Sequence, residues 1–121
     1  MDAGLEVHRA LIEQFAAETP DLFARLVRED GVFHRADGFQ AANKLVGELD
    51  REKCEVLATM LQETRKSALF DALRIIHETF YTRSLRLLVG NSEVPLEPYG
   101  YTLFQEYITL LELGDWESLG G

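Results

Sequence analysis

Apolar residues return every three or four positions along nearly all of this chain, and every second position in only one stretch, 84–97. That spacing constrains the fold more than any other feature. A period near 3.6 gives a segment one greasy face as a helix, and the same residues laid out as a strand would scatter over both faces. The first stretch, 3–17, places Leu5, His8, Leu11, Ile12 and Phe15 on one helical face. Thr19-Pro20-Asp21 then restarts a helix, with Thr19 as cap and Pro20 in the first position, where a missing N–H costs nothing. Leu22, Phe23, Leu26 and Val27 form its apolar face and Gly31 closes it. Asp37 reads as the cap of a third helix carrying Phe39, Ala42, Leu45, Val46 and Leu49. Asp50 caps a fourth, whose stripe is Cys54, Leu57, Ala58 and Leu61, and a fifth over 67–82 carries Leu69, Ala72, Leu73, Ile76 and Phe80. The segment from Thr64 to Ser67 is the expected break between these two, although neither Gly nor Pro enforces it and one long helix over 50–82 is the alternative.

The exception to the helical period has turn chemistry at its centre. Two short apolar runs, around Leu85–Val89 and Val94–Leu96, flank Gly90-Asn91-Ser92, residues that tolerate a left-handed backbone. This predicts a β-hairpin, with Pro95 confined to an edge because it cannot donate a ladder bond. Glu97-Pro98-Tyr99-Gly100 follows as a turn. Thr102 and Gln105 have the spacing of a capping box, and Leu103, Phe104, Tyr107, Ile108 and Leu111 form the stripe of a last helix that Gly114 ends. Asp115 to Gly121 reads as a tail with Trp116 tucked back on the body. The expected fold is mainly α: a compact bundle of about six helices with one small β-hairpin near residues 84–97, in a single helical domain over 1–121.

Charge narrows the function. Lys and Arg number 12 against 21 Asp and Glu, a formal charge of −9. Such a balance argues against nucleic acid and against an anionic membrane surface as partners. All 12 basic residues lie before residue 87, and the six acids after it (Glu93, Glu97, Glu106, Glu112, Asp115, Glu117) have no base among them. Arg65, Lys66, Arg74, Arg83 and Arg86 give a local basic density that reads as a solvated helix face. The N-terminus lacks the basic and apolar regions of a signal peptide, no apolar run approaches a membrane span, and Cys54 is the only cysteine. The expected location is the cytoplasm.

Catalytic patterns are missing. His77-Glu78 begins like a zinc-protease helix, but Tyr81 stands where the second ligand would be. Phosphate-binding glycine loops and nucleophile elbows are absent from the sequence. Among the other histidines, His34 lies in a connection, and His8, on an apolar face, reads as a hydrogen-bonded core or boundary residue rather than a ligand. Cys54 reads as a small hydrophobe. Inward positions read as Leu, Ile, Phe, Ala and Cys, so the sequence points to no catalytic residue, no metal site and no cofactor.

The segment 84–116, through Glu97-Pro98-Tyr99-Gly100 to Gly114-Asp115-Trp116, resembles a group of small uncharacterised bacterial proteins, a domain of unknown function with a Glu-Pro-Tyr-Gly turn and a Gly-Asp-Trp-like ending. The resemblance implies a bacterial, cytoplasmic, single-domain protein and no activity. From the residues themselves, the expected function is non-enzymatic: a protein-interaction domain, immunity- or antitoxin-like, that binds a basic protein partner through its acidic C-terminal third. The expected surface is Glu97, Tyr99, Tyr101, Glu106, Tyr107 and Trp116, aromatics with polar handles beside acids. The alternative is a ligand-binding domain or small enzyme whose pocket lies between the hairpin and the last helix, with Glu97, Tyr99 and His34 as polar groups. A homodimer through the hairpin edge is the third option.

Overall fold

In the computed structural model, which describes residues 2–120, the chain is mainly helical with one two-stranded antiparallel sheet. Met1 and Gly121, the latter at the end of the expected tail, lie outside the described residues. The elements are α1 (Ala3–Ala17), α2 (Leu22–Asp30), α3 (Gln40–Gly47), α4 (Arg51–Arg83), β1 (Leu88–Val89), β2 (Ser92–Glu93) and α5 (Leu103–Leu113), with a 3-10 turn at Glu117–Leu119. Five α-helices replace the expected six because the fourth and fifth segments are continuous. With no Gly or Pro between Thr64 and Ser67, no residue there forces the helix open, and the Thr64 hydroxyl turns back to donate to the Met60 carbonyl at 2.8 Å.

Two helix starts differ from the sequence reading. The chain enters α2 through Asp21, whose carboxylate accepts from Ala24 N at 2.9 Å. Thr19 and Pro20 stay outside because Gln62 holds them: its amide donates to Thr19 O at 2.7 Å and its carbonyl accepts from Asp21 N at 2.9 Å. Asp37 does not cap α3, which begins at Gln40 with no side-chain cap. The connection before it is fixed by Asn43, whose carbonyl oxygen accepts from Phe33 N and His34 N at 2.7 and 2.9 Å while its amide donates to His34 O at 2.6 Å. Other termini follow the sequence. Asp50 accepts from Lys53 N at 2.8 Å, Thr102 and Gln105 complete the capping box of α5, and Gly31 and Gly114 take the left-handed conformation that ends α2 and α5.

The residues group into two compact units, one made of Met1–Glu18 with Ala68–Gly121, the other of Thr19–Ser67. The middle unit, Thr19–Ser67, packs Ala24 and Val27 of α2 with Val46 of α3 and Cys54 and Ala58 of α4, and Phe33, Leu49, Leu57 and Leu61 surround them. Phe23 of α2 clusters with Phe33, His34 and Phe39 of the connection to α3, with ring centroids 4.6 to 6.1 Å apart.

The terminal unit is built on Ile12 of α1, Leu73 of α4 and Leu103 and Tyr107 of α5. Its hairpin is shorter than the expected stretch. Leu88 pairs with Glu93 and Val89 with Ser92, around Gly90, whose φ of 59° supplies the turn. Arg86 holds the far side through two bonds to the Glu93 carboxylate, at 3.1 and 2.7 Å. Helix α1 meets the hairpin backbone directly. A Cβ on Gly4 would stand 2.1 Å from the Glu93 carbonyl oxygen, so only glycine permits that approach.

Candidate functional site

Among the described residues the terminal unit buries two histidines and an acid, His8, His77 and Glu106. His8 is the hydrogen-bonded core residue the sequence predicts, whereas His77 and Glu106 correct the reading of the other inward positions as apolar. His8 falls on the α1 stripe with Ile12, and Glu106 falls on the α5 stripe with Leu103 and Tyr107, so helix geometry alone drives both inward. His8 is 1% exposed and Glu106 is 0% exposed. His8 Nε2 lies 2.5 Å from Glu106 Oε2, and His8 Nδ1 lies 2.8 Å from the Pro95 carbonyl oxygen. A carbonyl oxygen only accepts, so Nδ1 carries a proton and donates it. The short Nε2–Oε2 contact needs a second proton between its atoms. Whichever atom holds that proton, the pair has no net charge, which removes most of the cost of placing it away from water. One imidazole thus ties α1 to α5 and to the chain leaving β2. Glu106 Oε1 has no hydrogen-bond partner among the described residues.

His77 has a different role. The Leu103 N–H, the first of α5, donates to His77 Nδ1 at 3.2 Å. Nδ1 is therefore an acceptor and Nε2 holds the ring proton. Glu97 Oε1 stands 3.2 Å from Nε2, but off the N–H direction, so the contact is electrostatic rather than an aligned hydrogen bond. The other Glu97 oxygen accepts from Tyr81 Oη at 2.7 Å. That bond first, then partial burial and the carboxylate's charge, raise the Tyr81 phenol above its ordinary pKa.

Beside His8 lies a cavity of about 250 Å³. It is lined by His8 and Leu11 of α1, Ile76 and Phe80 of α4, Leu87, Val94, Pro95 and Leu96 of the hairpin and its flanks, and Leu103 of α5. His8 is the only polar side chain in this lining, and both of its nitrogens are engaged elsewhere, so the cavity presents carbon. Two cavities of the middle unit, about 310 and 520 Å³, are more open and lined with charged groups such as Arg25, Arg28, Arg51 and Glu55. Neither has a buried polar pair at its wall.

The residues expected to form one surface are distributed differently. Glu106 and Tyr107 are fully buried. Glu97 faces Tyr81 and His77, and Tyr101 is exposed. Tyr99 and Trp116 are half-buried and clasp Arg9, whose guanidinium carbon sits 5.4 and 5.2 Å from their ring centroids. Arg9 Nε donates to Tyr99 Oη at 2.6 Å, and Trp116 Nε1 donates to Glu13 at 2.8 Å, so Trp116 does fold back on α1. The cavity touches the hairpin flanks and Leu103 of α5, but α1 and α4 line it as well, and its polar member is His8 rather than Glu97, Tyr99 or His34. Among the described residues no cluster of three or more His, Cys, Asp or Glu has the arrangement a metal ion needs, and no helix is long and apolar enough to cross a membrane.

Sequence reasoning missed the His8–Glu106 pair, though a signal was present. Glu106 stands three residues after Leu103, inside the stripe that Tyr107 and Leu110 continue. An acid on one apolar stripe and a histidine on another mark a buried partnership.

Over residues 1–118 the chain matches a family described as Family of unknown function (DUF6547), and it belongs to that family. No curated protein and no solved structure matches it.

Proposed function

We propose, since membership of that family names no activity, that this chain is a small-molecule binding protein that holds an apolar group in the cavity beside His8. The observation that carries the reading is a carbon-lined space backed by a buried His8–Glu106 pair. An apolar cavity of about 150 Å³ stays dry and takes up benzene, so one of about 250 Å³ admits a larger ring or a short alkyl chain. Binding rather than catalysis follows from the same geometry, because His8 spends both nitrogens on protein partners and offers none to a substrate. The pair instead fixes the wall against which the ligand rests.

This reading ranks above the acidic docking face that the C-terminal third suggests. Of its acids, Glu93 is paired with Arg86, Glu97 with Tyr81, Asp115 with Ser118, and Glu106 is buried. Only the Arg86 bond cancels a charge, but Tyr107, like Glu106, is fully buried, so two of the six residues expected on that face are not on the surface. A bacterial cytoplasmic setting, with the Glu-Pro-Tyr-Gly turn and the Gly-Asp-Trp ending as family marks, completes the proposal, supported by a single buried, free cysteine.

Thermal unfolding with 1-hexanol tests the reading. A ligand at ten times its Kd adds about 1.4 kcal/mol, or about 5 °C in Tm for a chain of this size. The Leu11→Phe variant fills part of the cavity from the half-buried face of α1 and is expected to fold and to lose that shift. An equal shift in wild type and variant, or none in wild type, refutes the proposal.

A further inference from the structure

We infer that the ligand is a small amphiphilic acid whose tail enters the cavity and whose carboxylate meets Arg83; this rests on the cavity being a ligand site. Ile76, Phe80 and Arg83 stand at i, i+4 and i+7 on α4, which places them within one narrow strip of the helix surface. The first two line the cavity. Arg83 is one turn beyond, about 4.5 Å further along the axis, at the exposed end of the strip.

The charges around that end single out Arg83. Arg86 is occupied by Glu93 in a two-bond pair, and Arg74 is occupied by Asp71 and Glu78. Arg83 has no ion pair or side-chain hydrogen bond among the described residues. It is an unpaired cation one helical turn beyond the cavity-lining Phe80, in a chain whose net charge is −9. A general negative field repels free anions, so an anion gains here only through a local partner and a buried tail. The last carbonyls of α4 also attract the guanidinium, but its five donors suffice for both. A monocarboxylate with a short chain satisfies cavity and charge together. A dianion would meet the net charge twice with one partner.

Hexanoate and 1-hexanol share a tail and differ in charge, so a matched titration separates the two ideas. Methyl signals of Leu11, Ile76 and Val94 report cavity occupancy in wild type, Arg83→Gln and Arg83→Glu. The expected result is that hexanoate shifts those methyls, that Arg83→Gln weakens it about fivefold and Arg83→Glu more, and that hexanol binds all three proteins equally. Hexanoate and hexanol binding with equal affinity, unaffected by either substitution, overturns the carboxylate assignment and leaves the apolar site standing. No methyl shift with either compound overturns both.

Discussion

In the middle unit the core is made of Ala24, Val27, Val46, Cys54 and Ala58, small side chains that bring helices close and ask nothing of one another. In the terminal unit the core mixes Ile12, Leu73, Leu103 and Tyr107 with His8, His77 and Glu106. That first cluster is held by packing area, and its members can be exchanged for others of similar volume. The second adds directional bonds, from His8 to Glu106 and the Pro95 carbonyl and from Leu103 N to His77. It also lies against the carbon-lined cavity. A protein tolerates buried polar groups where they fix geometry, so the contrast locates specific work in the terminal unit and support in the middle one.

The largest effect that can break this contrast comes from cutting the buried pair. Glu106→Leu leaves His8 Nε2 facing carbon, and removing one partner of such a pair costs about 3–5 kcal/mol. His8→Leu with Glu106→Leu removes both partners and is expected to recover much of that loss, leaving the unpaired Pro95 carbonyl as residue. Cys54→Ala in the middle unit is expected to cost only about 1 kcal/mol, since the thiol makes no closer polar contact than 4.0 Å to Val46 O. Urea unfolding of the four proteins checks the ordering. A Glu106→Leu variant no weaker than Cys54→Ala erases the distinction between the two interiors.

The two units were also unequally legible. Helical spacing located both cores, and the cap chemistry of Asp50, Thr102, Gln105, Gly31 and Gly114 gave their ends, because those signals act within a few residues of chain. The starts of α2 and α3 were misplaced because Gln62 and Asn43 set them from distant or later positions, beyond any local rule. The continuity of α4 stayed open for want of a breaker. In the site, the hairpin location was readable, but the partner of His8 stands 98 positions away in sequence. A long-range pairing leaves only its polarity on a stripe as a trace.

Glycines sharpen the comparison with opposite signs. Gly4 lies where a Cβ would reach 2.1 Å from the Glu93 carbonyl oxygen, and that atom is backbone. Gly4→Ala therefore forces α1 and the hairpin apart, at about 1–3 kcal/mol. Gly47, at the end of α3, has nothing within 4 Å of its Cβ position. Gly47→Ala is expected to gain about 0.5 kcal/mol from helix propensity alone. Thermal denaturation of the two variants should move Tm down in the first and up in the second. The Gly4 variant should also lose hexanol binding, because Val94 and Pro95 of the cavity wall follow Glu93 directly.

The smallest expected effect concerns the hairpin's own clasp. Hydrogen bonding to Arg86 first, and then its charge, hold the Glu93 carboxyl below the usual carboxylate range. A carboxyl whose folded value is depressed contributes stability above its unfolded value and loses it as pH falls through the folded one. The clasp is therefore complete at neutral pH and fails only under acid, from the ordinary carboxylate range downward. Because both side chains are exposed, the contribution is slight and salt screens it. An NMR titration of the Glu93 carboxyl carbon should show a midpoint below that of an unpaired glutamate, moving up in high salt and reaching the usual range in Arg86→Gln. Cavity methyls that stay still through that same acid titration would show that the wall is held by His8 and Pro95 rather than by the clasp. Methyls that follow Glu93 would transfer that role to the hairpin's surface and weaken the case for the buried pair as the fixed element of the site.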